Sequence, residues 1–267
     1  MKTPIRWAGS KRTLLPTLKK YWGPQYTRYI EPFCGSACLF FELEPKKAIL
    51  NDLNAELMAA YRAIRVNPSN VAACLAALRP DKRTYYRLRE IDPFSLSESE
   101  LAARFLFINR LSFNAIFRTN RNGKFNVPYA KQKSRVKFDV DSIALLSKAL
   151  KKATLLHCDF EEAIGDAKRG DFVYLDPPYA VSKRRVFAEY QAKSFATTDI
   201  TRLRKSLCEI DQRGAHFVVS YADSAEGRKV ANDWNWRRVR TRRNVAGFSG
   251  HRRFAYEVFA TNVELRK

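Results

Sequence analysis

Asp176-Pro177-Pro178-Tyr179 sets a carboxylate, two prolines and a phenol ring directly after the apolar run Asp171-Phe172-Val173-Tyr174-Leu175. The run reads as a buried strand. Proline has no N–H to donate and holds φ near one value, so the carbonyls of Asp176 and Pro177 leave the sheet ladder and can face a ligand. One acceptor side chain, outward carbonyls and a stacking face suit a flat, amino-bearing heterocycle such as adenine. For the tetrapeptide alone, a strand ending in a proline-rich turn is the plainer alternative.

Other residues with chemical potential share this address at the end of a strand. Phe33-Cys34-Gly35-Ser36 follows Tyr29-Ile30-Glu31-Pro32 and opens a helix, and a glycine there lets the backbone approach a ligand closely. Asp52 follows the short strand Lys47 to Asn51; it suits either a ribose hydroxyl pair or the N-cap of the next helix. Asp159-Phe160 follows Thr154-Leu155-Leu156-His157, where an acid and an aromatic ring fit an adenine or, equally, a helix cap. No Walker motif, G-x-G-x-x-G or G-x-S-x-G occurs, which argues against nucleoside triphosphate hydrolysis, a dinucleotide cofactor and a serine hydrolase.

The elements that position these residues alternate strand and helix at both ends of the chain. Strands are expected at 29–33, 47–51, 154–157, 171–175 and 216–220, with helices over 53–65 and 198–213. Strands near 236–241 and 254–261 are expected to pair antiparallel across a basic loop containing Arg242 and Arg243. From Asp81 to Leu150 the pattern is helical and polar–aromatic. Ser97 with Glu100 reads as a capping box ahead of a helix from Leu101 to Phe117. Asn122-Gly123 marks a hairpin that carries Arg118, Arg121 and Lys124. This is an α/β sheet with a mostly helical insertion, and ligands of such sheets gather at the carboxyl ends of the strands.

Composition narrows the partner. The 267 residues include 49 Lys+Arg against 27 Asp+Glu, a net charge of +22, which calls for a polyanion. No basic amphipathic helix favours a membrane surface, so nucleic acid is the expected partner. A hydrophobic share of 46% supplies a core, and an aromatic share of 13% fits a folded domain rather than a basic tail. No apolar run nears the roughly 20 residues that span a bilayer, and Met1 to Trp7 lacks a secretory signal, so a cytoplasmic protein is expected. Cys34, Cys38, Cys74, Cys158 and Cys208 form no C-x-x-C pair, and His157, His216 and His251 do not complete a zinc spacing. The spacing of Cys34 and Cys38 allows one helical turn between them, but buried free thiols are the expected reading.

With these residues placed, the chain resembles the Dam-type (D12 class, alpha group) N6-adenine-specific DNA methyltransferases. Four blocks carry the likeness and span nearly the whole chain. They are Arg6-Trp7-Ala8-Gly9-Ser10-Lys11; Glu31-Pro32-Phe33-Cys34-Gly35 with Leu50-Asn51-Asp52-Leu53-Asn54; Asn109 to Arg118 running into Gly123 to Tyr129; and Gly170 to Tyr179. The resemblance implies a Rossmann-like S-adenosylmethionine-dependent methyltransferase sheet over 1–54 and 154–267. It implies a mostly helical inserted target-recognition domain with a β-hairpin over 55–153.

The resemblance also assigns roles. Trp7, Lys11, Phe33, Gly35, Asp52, Asp159, Phe160 and Asp176 belong to the cofactor site, with Lys11 near the methionine carboxylate, Asp52 on the ribose, and Asp159 and Phe160 on the cofactor's adenine. Asp176, Pro177, Pro178 and Tyr179 receive the target adenine: the Asp176 side chain and Pro177 carbonyl accept from its amino group, and Tyr179 stacks on its ring. On the DNA side stand Arg6, Arg110, Phe113, Asn114, Ile116, Arg118 and Pro128. Arg118 is placed to read a guanine and Phe113 to wedge beside the flipped base, unless Phe113 is simply helix core. Lys131 and Lys133, like Arg242 and Arg243, suit phosphates. Arg6 stands where the family usually has lysine.

Double-stranded DNA is the implied partner, without metal or membrane. A monomer is expected, bacterial or phage-encoded and nucleoid-associated. Two departures stand out. Ala37 replaces a usual glycine, and Ala130-Lys131-Gln132-Lys133 replaces Gly-Arg-Tyr-Lys, which bears on whether the target is the family's usual GATC. The competing readings are a catalytically silent DNA-binding homologue, and an RNA adenine or protein-glutamine methyltransferase. The latter two more often carry Asn at the position of Asp176 and lack the insertion.

Overall fold

The computed structural model describes residues 3–120, 123–130, 136–179, 195–242 and 254–263. Its strands are β1 (Arg28–Glu31), β2 (Ala48–Asn51), β3 (Ala153–Leu156), β4 (Asp171–Leu175), β5 (His216–Ala222), β6 (Asn235–Arg242) and β7 (Phe254–Thr261). They form one sheet in the order β3-β2-β1-β4-β5-β7-β6. β1 to β5 pair in parallel, and β7 runs antiparallel to both β5 and β6. The carboxyl ends of β1, β2 and β4 therefore lie side by side, and the antiparallel β7 brings its own amino end to that same edge. This is the Rossmann-like arrangement expected.

The helices are α1 (Leu15–Leu18), α2 (Cys38–Leu43), α3 (Ala55–Val66), α4 (Pro68–Ala76), α5 (Lys82–Glu90), α6 (Glu98–Leu111), α7 (Asp141–Leu150), α8 (Phe160–Ala163), α9 (Thr197–Gln212) and α10 (Ala225–Ala231). Successive strand residues face opposite sides, so each side of the sheet has its own core. Tyr29, Phe172, Val218 and Phe259 join one cluster with α2, α3, α6 and α7. Ile30, Val173, Phe217 and Val258 join the other with Phe160 of α8 and Leu203 and Leu207 of α9. Both faces being covered, β4 is buried at all five positions, as a central parallel strand must be.

The insertion departs from expectation at one boundary. Ser97 and Glu100 do form the capping box that starts α6. The helix ends at Leu111, however, not Phe117: Ser112 is extended at φ −71°, ψ 150°, and a 3-10 turn follows over Phe113–Ala115. The apolar residues Phe113, Ile116 and Phe117 continued the helical period by eye, but Asn114 sits at φ 54°, a left-handed conformation incompatible with a helix. The hairpin pairing is present. Thr119 bridges Phe125 antiparallel, Asn126 N–H donates to Arg118 O at 3.1 Å and Asn120 N–H to Lys124 O at 2.8 Å. Arg121 and Asn122 lie outside the described residues.

The cysteine expectation needs two corrections. Cys34 and Cys38 are buried free thiols, but Cys34 lies before α2 and not on it; Cys208 is exposed and Cys74 and Cys158 are half-buried. α9 turns its buried face to the sheet through Ile200, Leu203, Leu207 and Ile210, which leaves Cys208 on the solvent side.

Candidate active site

β4 delivers Asp176 past the sheet's edge, with Pro177 buried and Pro178 exposed. Two neighbours restrain the carboxylate. Ser220 of β5 donates to Oδ1 at 2.9 Å and lies 3.1 Å from the Tyr174 hydroxyl. Lys11, brought in by the N-terminal segment, sets Nζ 2.7 Å from Oδ1 and 2.9 Å from Oδ2. The same ammonium donates to Gly9 O at 3.0 Å and to the Tyr179 hydroxyl at 3.2 Å, and it lies 3.7 Å from Glu257 Oε2. Lys11 is only 4% exposed. Burial alone would lower its pKa; the surrounding Asp176, Tyr179 and Glu257 outweigh burial and hold it above the ordinary lysine value. Burial, with Asp176 and Glu257 adding to it and Lys11 opposing, raises the Tyr179 phenol. The Tyr179 ring rests against Tyr221, centroids 5.0 Å apart.

The residues expected at a cofactor line the adjoining strand ends. Gly35 follows β1 at φ +45°, and a Cβ there would lie 2.5 Å from Trp7 Cδ1; the glycine thus admits the indole, which also stacks on Phe117 at 5.9 Å. Asp52 does not cap α3. That N-cap is Asn54, which accepts from Leu57 N at 2.9 Å. Asp52 instead accepts from Gly35 N and Asn54 N, both at 2.9 Å, tying the turn after β1 to the turn after β2. Burial raises its pKa against those two backbone bonds. Asp159 does cap α8, accepting from Glu161 N at 3.0 Å, and it also pairs with Arg202 at 2.6 Å. The Arg202 guanidinium lies 4.8 Å from the centroid of Phe160, whose ring packs 5.2 Å from Phe33.

Glu31, the last residue of β1, is 3% exposed, and its Oε2 has no hydrogen-bond partner among the described residues. Burial, reinforced by Asp176 and Asp52, pushes its pKa well above the ordinary carboxyl range. Three carboxyls from three strand ends therefore share one edge with a single buried lysine, in a protein that is strongly basic overall. Ala37, in place of the expected glycine, takes up the glycine-like conformation at φ 47°, ψ 35°. Left-handed strain of about 1–2 kcal/mol is partly offset by burial of its methyl, worth about 0.8 kcal/mol, so alanine keeps the turn intact.

The residues expected on the DNA side gather around the end of α6. Phe113 is 44% exposed, which removes the helix-core alternative. Its N–H donates to Pro128 O at 2.9 Å, so Phe113 and Pro128 stand together with the exposed Asn114. Arg118 is held by Asn126, Nε to Oδ1 at 2.8 Å. Ile116 packs partly on the core. Arg6 exposes its side chain while Asn109 of α6 clamps its backbone, accepting from Arg6 N at 2.8 Å and donating to Arg6 O at 2.6 Å. Burial, then the charges of Arg110 and Arg12, lower the Arg6 pKa; three guanidinium groups share this neighbourhood, an environment that favours an anion. Lys131, Lys133 and Arg243 lie outside the described residues.

Ser220, Glu257, Asn109 and Arg202 were not singled out from sequence. Each acts through a long-range contact: Ser220 lies 44 residues from Asp176, and Glu257 78 from Tyr179. Only the Glu257 charge inside an otherwise apolar strand, Phe254 to Thr261, offered a signal. Among the described residues no group of three or more His, Cys, Asp or Glu is placed to hold a metal ion, and no helix is long and apolar enough to cross a membrane.

Comparison with known proteins agrees with this geometry. Residues 7–245 match the D12 class N6 adenine-specific DNA methyltransferase family. The Type II methyltransferase M1.LlaDCHI of Lactococcus lactis subsp. cremoris is 34% identical over 266 residues, covering 96% of this chain and 94% of its own. The Type II methyltransferase M.MjaIII of Methanocaldococcus jannaschii is 32% identical over 244 residues, covering 82% and 84%. The retron Ec67 DNA adenine methylase of Escherichia coli is 26% identical over 267 residues, covering 98% and 92%.

Proposed function

The chain belongs to the D12 class of N6 adenine-specific DNA methyltransferases, and from that premise we propose that it moves a methyl group from S-adenosylmethionine to N6 of an adenine turned out of duplex DNA, at GATC or a close relative. The observation that carries the reading is Asp176, held by Lys11 and Ser220 at the end of β4, beside an acid-lined edge.

When bound, S-adenosylmethionine supplies an electrophilic sulfonium methyl. The residues present suit that cofactor. Asp52 and Asp176 offer carboxylates to a ligand with a sulfonium and an ammonium, and Glu31, whose Oε2 has no hydrogen-bond partner among the described residues, adds a buried carboxyl whose proton a bound cation would help to displace. Asp52 is assigned to the ribose, Phe33, Phe160 and Asp159 to the adenine, and Gly35 with Trp7 to the near wall. The resemblance sets Lys11 at the methionine carboxylate; in the structure its ammonium faces Asp176, Tyr179 and Gly9 O, and its assigned task here is to fix Asp176.

For the target base, Asp176 and the Pro177 carbonyl accept the two hydrogens of the amino group. Conjugation with the ring makes that nitrogen a poor nucleophile. Two acceptors favour its pyramidal form and free the lone pair, and because Lys11 and Ser220 set the carboxylate beforehand, the acceptors need no reorganisation. Holding the nitrogen in line is the larger effect. Asp176 is also the nearest base for the proton N6 sheds. Tyr179, backed by Tyr221, offers its other face to the base. An adenine inside a duplex cannot reach this edge, so it must be extruded, with Phe113 filling the gap and Arg118 reading a guanine. The catalytic part is assigned to 1–54 and 154–267, and recognition to 55–153.

Unmethylated genomic DNA incubated with the protein and S-adenosylmethionine, then read by base-resolution modification sequencing, tests this. N6-methyladenine confined to one short motif is expected, and Asp176→Ala should abolish it while DNA binding persists. Methylation by that variant at a near-normal rate would overturn the assigned chemistry.

A further inference from the structure

Glu257 stands inside the site, and none of the roles assigned above uses it. On β7 it lies opposite Ala222 at the end of β5 and opposite Val239 of β6, so the antiparallel pairing alone carries it to the edge where Asp176 sits. Its side chain is 7% exposed. A directed chain ends on it: Lys11 Nζ donates to the Tyr179 hydroxyl at 3.2 Å, and that hydroxyl donates to Glu257 Oε1 at 3.3 Å. Its second oxygen lies 3.7 Å from the Lys11 ammonium, which is 2.7 Å from Asp176. One buried cation thus faces two carboxylates.

The nearer carboxylate is the one assigned to receive the adenine amino group. Oδ1 of Asp176 already accepts from both Lys11 and Ser220, while Oδ2 accepts from Lys11 and keeps a lone pair for the base. A lysine committed wholly to Asp176 would draw charge from that oxygen and weaken it as an acceptor. A second anion beside the ammonium counters this pull, and the electrostatics of so buried a cluster are strong. The same anion fixes the rotation of the Tyr179 hydroxyl and, through it, the ring.

We propose that Glu257 is a positioning residue for methyl transfer: it shares Lys11 with Asp176 and anchors Tyr179, keeping Oδ2 of Asp176 a strong, oriented acceptor. The proposal rests on the assignment of Asp176 given above.

Glu257→Gln keeps the shape and an acceptor for Tyr179 and removes the charge. In single-turnover methylation of a duplex with one target, its rate should fall at least about tenfold, with calorimetric cofactor and DNA affinities held within about twofold. Glu257→Asp, which restores the charge, should recover part of the rate. Tyr179→Phe cuts the link between Lys11 and Glu257, and if the three act as a unit, Tyr179→Phe combined with Glu257→Gln should lose less than the sum of the two separate losses. A Glu257→Gln rate equal to the parent's would overturn the proposal. So would a loss matched by equal losses of binding or of melting temperature, or full additivity of the pair. Asp176→Ala in the same assay separates the two readings: if it stays active, the Asp176 assignment itself fails, whereas an inactive Asp176→Ala beside a normal Glu257→Gln overturns only the role of Glu257.

Discussion

Glu31 shows how a single residue links binding to stability. Its carboxyl is buried, with Asp52 and Asp176 nearby, and its pKa stands well above the ordinary range. An unfolded chain would titrate it near about 4.3. The folded state therefore holds a proton that the unfolded state releases. That stabilising contribution is complete below the ordinary carboxyl pKa and is lost as pH rises through the raised one. Glu31→Gln is neutral at every pH. In the absence of cofactor, its melting temperature should decline less than the parent's between about pH 5 and 8, and it should be the more stable form at the upper end. Calorimetric melting at pH steps checks this; parallel curves would show that Glu31 is not the source of the slope. From sequence, Glu31 was legible only as one acid among several at strand ends. That its second oxygen would lack a partner among the described residues depends on what packs over it, which no local pattern encodes.

Among the elements, α6 holds the helices of the insertion together. Arg104, 2% exposed, pairs with Glu56 of α3 at 2.7 Å and donates to Leu88 O at 2.8 Å. Burial raises the Glu56 pKa and Arg104 opposes it, so removing the arginine strands a buried acid. Arg104→Met should cost about 3–5 kcal/mol, the usual penalty for breaking one side of a buried pair. Urea unfolding measures it, and a loss below about 1 kcal/mol would mean that the pair behaves as a surface one. The start of α6 was legible because the capping box is a local, two-residue signature. Its end was not, because Phe113, Ile116 and Phe117 keep a helical period while doing other work: Phe113 faces solvent and Phe117 stacks on Trp7. The strands of the sheet were legible for the opposite reason. β4 and β5 are buried on both faces, and a short apolar run bounded by turn residues has few other readings.

At the scale of the whole molecule, the excess of 22 positive charges and the acidic strand edge divide the labour. The net charge suits the DNA substrate of the family, while acids gather at the strand ends. DNA affinity should fall steeply with salt, the logarithm of the binding constant declining with a slope of about −0.9 per neutralised phosphate. A titration series across salt concentrations reads this directly, and a flat response would remove the charge argument. The sequence blocks located the acids on the correct edge of the sheet because the strand–turn–helix order is local. They left out Ser220 and Glu257, because only the pairing of β5 with β4 and of β7 with β5 brings those residues there.

β6 has a consequence of another kind. Among the described residues it ends the sheet, and an edge strand leaves a row of backbone donors and acceptors to which a foreign strand can add. Arginine fills four of its eight positions, Arg237, Arg238, Arg240 and Arg242. A second copy approaching edge to edge would bring the exposed Arg238 and Arg240 towards their own images, and like charge there opposes the pairing that leads such sheets to fuse into larger aggregates.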